Sequence, residues 1–229
     1  MPYHGGSATN AGIEYQNWFL ALLFSYAFFE RDYEIYPEAL RNKSVIIDDI
    51  VVKQRTKNQF FSVKFRASSN TLHWSQSCLK TEGIFEDFKQ QFEANKNDEL
   101  FLVSECNCYL FTEVFVRARN SRMGGLDIEE VLASNKAFQE WEKAKNHLGY
   151  DDTRMIEFAR QVNCLTLPLE EIKCLIRHRF FQFKDQKFIP EFLFSKAVEA
   201  SGKKTAVDRV RLRQWFANKQ ISLNPKSTL

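Results

Sequence analysis

The chain has 229 residues, 44% of them hydrophobic and 27% charged, ordinary globular values that exclude a disordered, collagen-like or tail-dominated protein. Lys plus Arg number 32 against 29 for Asp plus Glu, a net charge of +3. Overall charge therefore demands no polyanionic partner, and any nucleic-acid case must rest on local clustering.

The opening segment, MPYHGGSATNAG, is polar and glycine-rich and does not read as a secretory leader. Thr9 or Asn10 is placed to cap a helix running to about Glu30, with Ile13, Leu20, Leu23 and Ala27 at three-to-four spacing. Its apolar run, Trp18 to Phe29, falls short of the roughly 20 residues of a spanning helix. This reads as a buried helix in a cytoplasmic protein with no membrane contact. Asp32 to Tyr36 is a short strand stopped by Pro37, and Ser44 to Lys53 (SVIIDDIVVK) is a β-branched run broken by two acids. In Gln59 to Arg66, Phe61, Val63 and Phe65 alternate with Ser62, Lys64 and Arg66, the period of a strand with one polar face.

A loop over Ala67 to Gln76 precedes an amphipathic helix from about Cys78 to Ala94, striped by Phe85, Phe88 and Phe92. Leu100 to Val103 reads as a buried strand. From about Glu113 the pattern is helical: Ile128 to His147, Thr153 to Val162, Pro168 to about Phe183, Pro190 to Ala200 and Val207 to Lys219. The expected organisation is α/β: an α-β-β-β-α-β core over residues 1–110, then a mostly α-helical C-terminal appendage over 111–229 packed on it, with Gly124 and Gly125 at the junction. Five cysteines, at 78, 106, 108, 164 and 174, form no CxxC pair, so free thiols are expected and no zinc is assigned.

Joining the two central strands by a hairpin across Arg55 to Asn58 sets positions summing to 113 opposite each other, placing Asp49 against Lys64 and Val51 against Ser62. A carboxylate and an ammonium then share a polar face in mid-strand, where unpaired charge is expensive. Geometry alone reads equally well as a structural ion pair or as a site.

The wider pattern resembles the PD-(D/E)xK restriction-endonuclease-like superfamily, in its Mrr-like branch. Asp49 stands where that family has its metal-binding aspartate, and Ser62-Val63-Lys64 where it has the (D/E)xK tripeptide. Gly12-Ile13-Glu14-Tyr15-Gln16 is similar to its first-helix signature, with Gln16 as the active-site residue. The segments GGSATNAGIEYQ, IIDDIVV and FSVKF together resemble effector nuclease domains of bacterial antiphage systems, fused to SAVED sensors or associated with antiviral STAND ATPases.

The resemblance covers about the first 105 residues. It implies a DNA endonuclease of low sequence specificity that acts on double-stranded DNA with magnesium or manganese. It further implies a sensor or ATPase module in the same or another chain, and an oligomer when active. Asp49 and the Val63 carbonyl would hold the metal, and Lys64 would orient the attacking water and neutralise developing charge. Ser62 departs from the pattern by replacing an acid with a neutral hydroxyl. Glu38, Glu14 and Asp48 are the replacement acids within reach, Glu38 foremost because it ends the short strand, while alternation points Asp48 away from Asp49. The departure makes a degenerate nuclease fold, binding nucleic acid or a partner protein without cleavage, the alternative.

Further cations suit phosphate contacts: Lys53, Arg55, Lys57 and Arg66 around the proposed site, and Lys203, Lys204, Arg209, Arg211, Arg213 and Lys219 around Trp215. The first group reads equally as hairpin-tip solubility charges, and a run like the second is more often a solvated helix face. His73 and Trp74 follow the site, and a packed Trp beside a surface His is the plainer account.

Overall fold

The computed structural model describes residues 5–38, 45–47, 49–66, 73–95, 97–121, 127–184 and 186–221, with side chains from residue 10 onward. In chain order the elements are α1 (Gly5–Phe29), β1 (Glu34–Pro37), β2 (Ile50–Lys53), β3 (Asn58–Val63), α2 (Gln76–Thr81), α3 (Ile84–Ala94) and β4 (Glu99–Ser104). A π-helical turn (Leu110–Val114) leads into α4 (Phe115–Ala118), α5 (Ile128–Leu132), α6 (Asn135–Leu148), α7 (Asp152–Gln161) and β5 (Val162–Thr166). The chain continues through α8 (Leu169–Arg179), α9 (Ile189–Lys203), β6 (Val207–Asp208) and α10 (Arg209–Asn218). Among the described residues no helix is long and apolar enough to cross a membrane.

The expected α-β-β-β-α-β order is present, with α2 and α3 sharing the second helical place. The six strands lie in the order β5-β4-β3-β2-β1-β6. β1, β2 and β3 form an antiparallel meander, β3, β4 and β5 run parallel, and β6 pairs antiparallel with β1. Parallel neighbours need long crossovers, which the intervening helices supply.

Both faces of this sheet are covered, because alternate residues on every central strand are apolar. Val51, Phe60, Leu100 and Leu102 pack with Phe85, Phe88 and Phe92 of α3, Trp141 of α6 and Phe158 of α7. Ile50, Val52, Phe61 and Val63 pack with α1 and with residues of α8, α9 and α10. Tyr15, Trp18 through Phe24, and Ala27 are all buried, which makes α1 the central helix its apolar run predicts.

Several boundaries differ from the expectation. Helix α1 begins at Gly5, so Thr9 and Asn10 lie within it, tertiary burial of the apolar half extending a helix that Gly and Ser weaken. The single helix expected from Cys78 to Ala94 is two, broken at Gly83, whose φ of 71° lies in the left-handed region. Ile128 to His147 is likewise split, with Ser134 capping α6 through Ala137 N–H. Within the β-branched run the described strand is Ile50–Lys53, with Val45 in a bridge ahead of it. Asp48, Gly124 and Gly125 lie outside the described residues.

Two differences matter more. The hairpin register sums to 111, Ile50 opposite Phe61 and Lys53 opposite Asn58, with Gln54 N–H bonding Lys57 O at 3.1 Å to close the turn. A shift of two keeps every side chain on its face, so alternation could not distinguish the two registers. And the second half is not only a helical appendage: Val162–Thr166 extends the sheet beside β4 and Val207–Asp208 borders β1. The sheet thus draws strands from both sides of residue 110.

Candidate active site

Asp49 immediately precedes β2 and Lys64 immediately follows β3. The charges therefore sit at the strand ends rather than in mid-strand. Lys64 Nζ is 3.1 Å from Asp49 Oδ2, and the Val63 N–H donates to the same oxygen at 2.8 Å. The side chain thus takes over where the β2–β3 backbone ladder stops. The Asp49 carbonyl is also occupied, accepting from Glu38 N–H at 2.9 Å and Gln16 Nε2 at 3.3 Å. Bonds from α1, the end of β1 and the end of β3 fix this one residue, while Oδ1 has no protein partner among the described residues.

Gln16 is itself held by its neighbours. The Tyr15 hydroxyl donates to Leu167 O at 2.8 Å, and burial pushes its pKa well up; Asn17 Oδ1 accepts from Ser201 Oγ at 3.0 Å. The Lys64 N–H bonds Val103 O at 2.9 Å, continuing the parallel ladder to β4. These groups open into a cleft of about 250 Å³ lined by Gln16, Asp49, Val63, Lys64, Arg66, Trp74 and Glu82, among others.

The sequence-predicted residues divide around this cleft. Asp49, Val63, Lys64 and Gln16 converge. Ser62 does not line it: the residue is one step deeper and only 5% exposed. Glu38 contributes its N–H to Asp49, but its carboxylate lies 4.0 Å from Lys204 Nζ, and its φ of 47° is unusual for a side chain other than glycine. Glu14 is exposed and outside the lining.

The grouping of cations also changes. Lys53, Arg55 and Lys57 do not surround the site, because the hairpin turn lies at the other end of the strands, four residues or about 13 Å from Asp49. Lys53 covers the Tyr36 ring, Arg55 pairs with Asp32 and Lys57 with Glu99. Lys203 pairs with Glu199, and Arg211 donates to Ala206 O. Of the four cations expected around the site, Arg66 reaches the cleft, its guanidinium 4.8 Å from the Trp74 ring centre. Trp74 is packed and His73 exposed, as the plainer account had it, yet Trp74 also lines the cleft.

Glu82 was missed. It arrives because the chain reverses at Gly83, and a glycine interrupting an amphipathic run was the available signal. All five cysteines are free. The Cys78 thiol is pulled down by its bond with Ser75 and by the nearby Arg66 guanidinium, while burial pushes Cys106 and Cys108 up.

No family model matches this chain, and no curated protein sequence does. Solved structures do resemble it. The SAVED/CARF-domain containing receptor Cap4 of Acinetobacter baumannii superposes with a TM-score of 0.55 at 12% identity, over 90% of this chain and 46% of that one. The same receptor with the cyclic trinucleotide 3'3'3'-cAAA gives 0.54 at 13% identity, over 90% and 45%. Cap4 of Moraxella osloensis gives 0.53 at 14% identity, over 91% and 47%. The chain therefore spans less than half the length of these receptors and shares a fold with part of them.

Proposed function

We propose that this chain is a metal-dependent DNA endonuclease domain of the restriction-endonuclease-like fold, acting as an effector in bacterial antiphage defence. The observation that carries the reading is the convergence of Asp49, the Val63 main chain, Lys64 and Gln16 at one cleft, from three separated points of the sequence. Two independent lines support the defence context. The motifs resemble nucleases fused to SAVED sensors, and the solved structures of similar fold are receptors that contain SAVED domains.

The residues fit a hard divalent cation. Among the described residues no three His, Cys, Asp or Glu side chains cluster around a metal position. Asp49 and the Val63 carbonyl would hold magnesium or manganese, with phosphate and water completing the shell, a sparse donor set that magnesium accepts. When bound, the ion supplies positive charge against the oxygens of the scissile phosphate. Lys64, held by Asp49, orients the attacking water and offsets charge that develops in the transition state. Gln16 and Glu38 fix the Asp49 backbone, so the carboxylate needs no reorganisation when substrate arrives.

In the full reading a sensor or ATPase module, in this chain or another, restrains the domain until clustering activates it. The decisive test is incubation with plasmid DNA in magnesium, in manganese and in excess chelator. Cutting is expected only with metal; undiminished cutting in chelator sinks the reading. A second reading, a degenerate fold that binds without cleaving, is favoured by one observation: Ser62, where the family carries an acid, is buried and absent from the cleft lining. DNA binding without cleavage under any metal would establish it.

A further inference from the structure

Two donors of residues lining the cleft have no acceptor among the described residues. Trp74 is only 3% exposed, yet its Nε1–H meets no partner, and Arg66 Nη1 is equally shielded and equally unpartnered. Arg66 lies near the Cys78 thiol, but Nη1 makes no hydrogen bond to it. Buried donors of this kind are rare in folded proteins and cost free energy unless something completes them.

Both residues are anchored where they stand. The Trp74 N–H donates to Asn107 O at 2.9 Å, the Arg66 carbonyl accepts from Cys106 Sγ at 3.3 Å, and the guanidinium sits against the indole. The turn after β4 thus pins both main chains, while the half-buried Arg66 side chain faces the cleft. Lys64 Nζ and Gln16 Nε2 add two further donors to the same lining. The acids present are Asp49, whose Oδ2 is already engaged, and the exposed Glu82.

We propose that Arg66 and Trp74 form a phosphate-binding subsite beside the Asp49–Lys64 pair, taking a backbone phosphate of nucleic acid next to the one attacked. The proposal rests on the nuclease reading for the identity of the polymer. A phosphate presents several acceptor oxygens at once, which suits a guanidinium N–H and an indole N–H on one wall. The two donors then divide the labour: Arg66 releases a counterion on binding, whereas neutral Trp74 adds a directional bond and no salt dependence.

The test is binding of a fluorescent 20-base-pair duplex in excess chelator, by anisotropy across a salt series, with melting curves to confirm that each variant is folded. Trp74→Phe should weaken binding about tenfold with the salt slope unchanged. Arg66→Ala should weaken it and reduce the slope by about 0.9. Arg66→Lys, which keeps the charge but loses the planar fork, should weaken binding with the slope retained, and it carries the test if the tryptophan variant does not fold. Wild-type affinity and slope in the Arg66 variants overturn the proposal.

Inorganic phosphate is the second probe. If it alone raises the melting temperature, Arg66→Ala abolishes that rise, and duplex binding stays at the wild-type level, the ligand is free phosphate and the polymer assignment falls. The two readings fail separately. A protein that binds as described but never cuts with magnesium keeps the subsite and loses the endonuclease. One that cuts while Arg66→Ala binds normally loses only the subsite. A wild-type chain with no affinity for the duplex at low salt loses both.

Discussion

At the turn end of the β2–β3 hairpin, Lys57 meets Glu99 at 2.6 Å and Gln59 meets the other Glu99 oxygen at 2.8 Å. Asn58, Asn95 and Gln91 all donate to Asp98, which is 1% exposed. At the opposite end, about 13 Å away, the residue types are similar but, among the described residues, the accounts stay open: Asp49 keeps a free oxygen, and Arg66 and Trp74 keep free donors. A closed network rigidifies a fold. An open one, at the mouth of a cleft and on a pinned backbone, is what a substrate can complete.

The electrostatics follow the same division. Burial raises the Asp98 pKa despite bonds from Asn58 and Gln91, whereas for Glu99 the bonds from Gln59 and Lys57 outweigh burial and lower it. The turn end is thus tuned for stability, with two carboxylates contributing in opposite senses as pH changes.

The comparison can be broken most sharply at Lys64. Lys64→Ala should reduce plasmid cleavage by at least about a hundredfold while duplex binding persists, since in the proposed mechanism the ammonium acts on charge present only in the transition state. The double variant Lys64→Ala with Asp49→Asn should melt normally and never cut; recovery of cutting would make the pair structural. Next, Asp98→Ala should cost about 3 kcal/mol, read by denaturant unfolding, because three donors lose their acceptor. Its cleavage rate, measured where the variant is folded, should stay near wild type.

A smaller effect separates the carboxylates by pH. The lowered Glu99 pKa means that its contribution is present above the ordinary glutamate range and is lost as pH falls through the folded value. Glu99→Gln should therefore cost about 1 kcal/mol near neutrality and show a shallower acid-side decline than wild type in melts from pH 7 to 3. Asp98 has the opposite sign, its raised pKa favouring the folded state as pH falls through the native value. The smallest expected effect is at Arg55, whose side chain is 83% exposed and, among the described residues, paired with Asp32 at 3.5 Å. Arg55→Ala should change duplex affinity less than about twofold. A large loss would place DNA across the turn end and erase the distinction between the two ends.

Much of this arrangement was legible in the chain. The apolar run of α1, the alternation of Gln59 to Arg66 and the stripe of Phe85, Phe88 and Phe92 each announce an element whose burial leaves little choice. Asp49, Val63, Lys64 and Gln16 could be picked out because their residue types and spacing match a chemistry and a family pattern. Other features were not legible for identifiable reasons. Registers summing to 111 and 113 present identical faces. Val162–Thr166 is a short edge strand directly continuing a helix, without a turn residue to separate them.

The sequence by itself determined the order of elements over about the first 110 residues, the two apolar faces of the sheet and the identity of the Asp49–Lys64 pair, because local periodicity and side-chain chemistry do not depend on distant partners. Only the tertiary structure decided which end of the hairpin holds the cleft, that Lys53, Arg55 and Lys57 stand away from it, and that the carboxylate of Glu38 is turned towards Lys204. It alone brought Trp74 and Glu82 into the lining beside Arg66, since that depends on the break at Gly83 and on the turn after β4, and neither leaves a periodic trace in the chain. Whether a polar atom is satisfied is a property of every neighbour it meets in space, so the two unpartnered donors could not be read from one dimension.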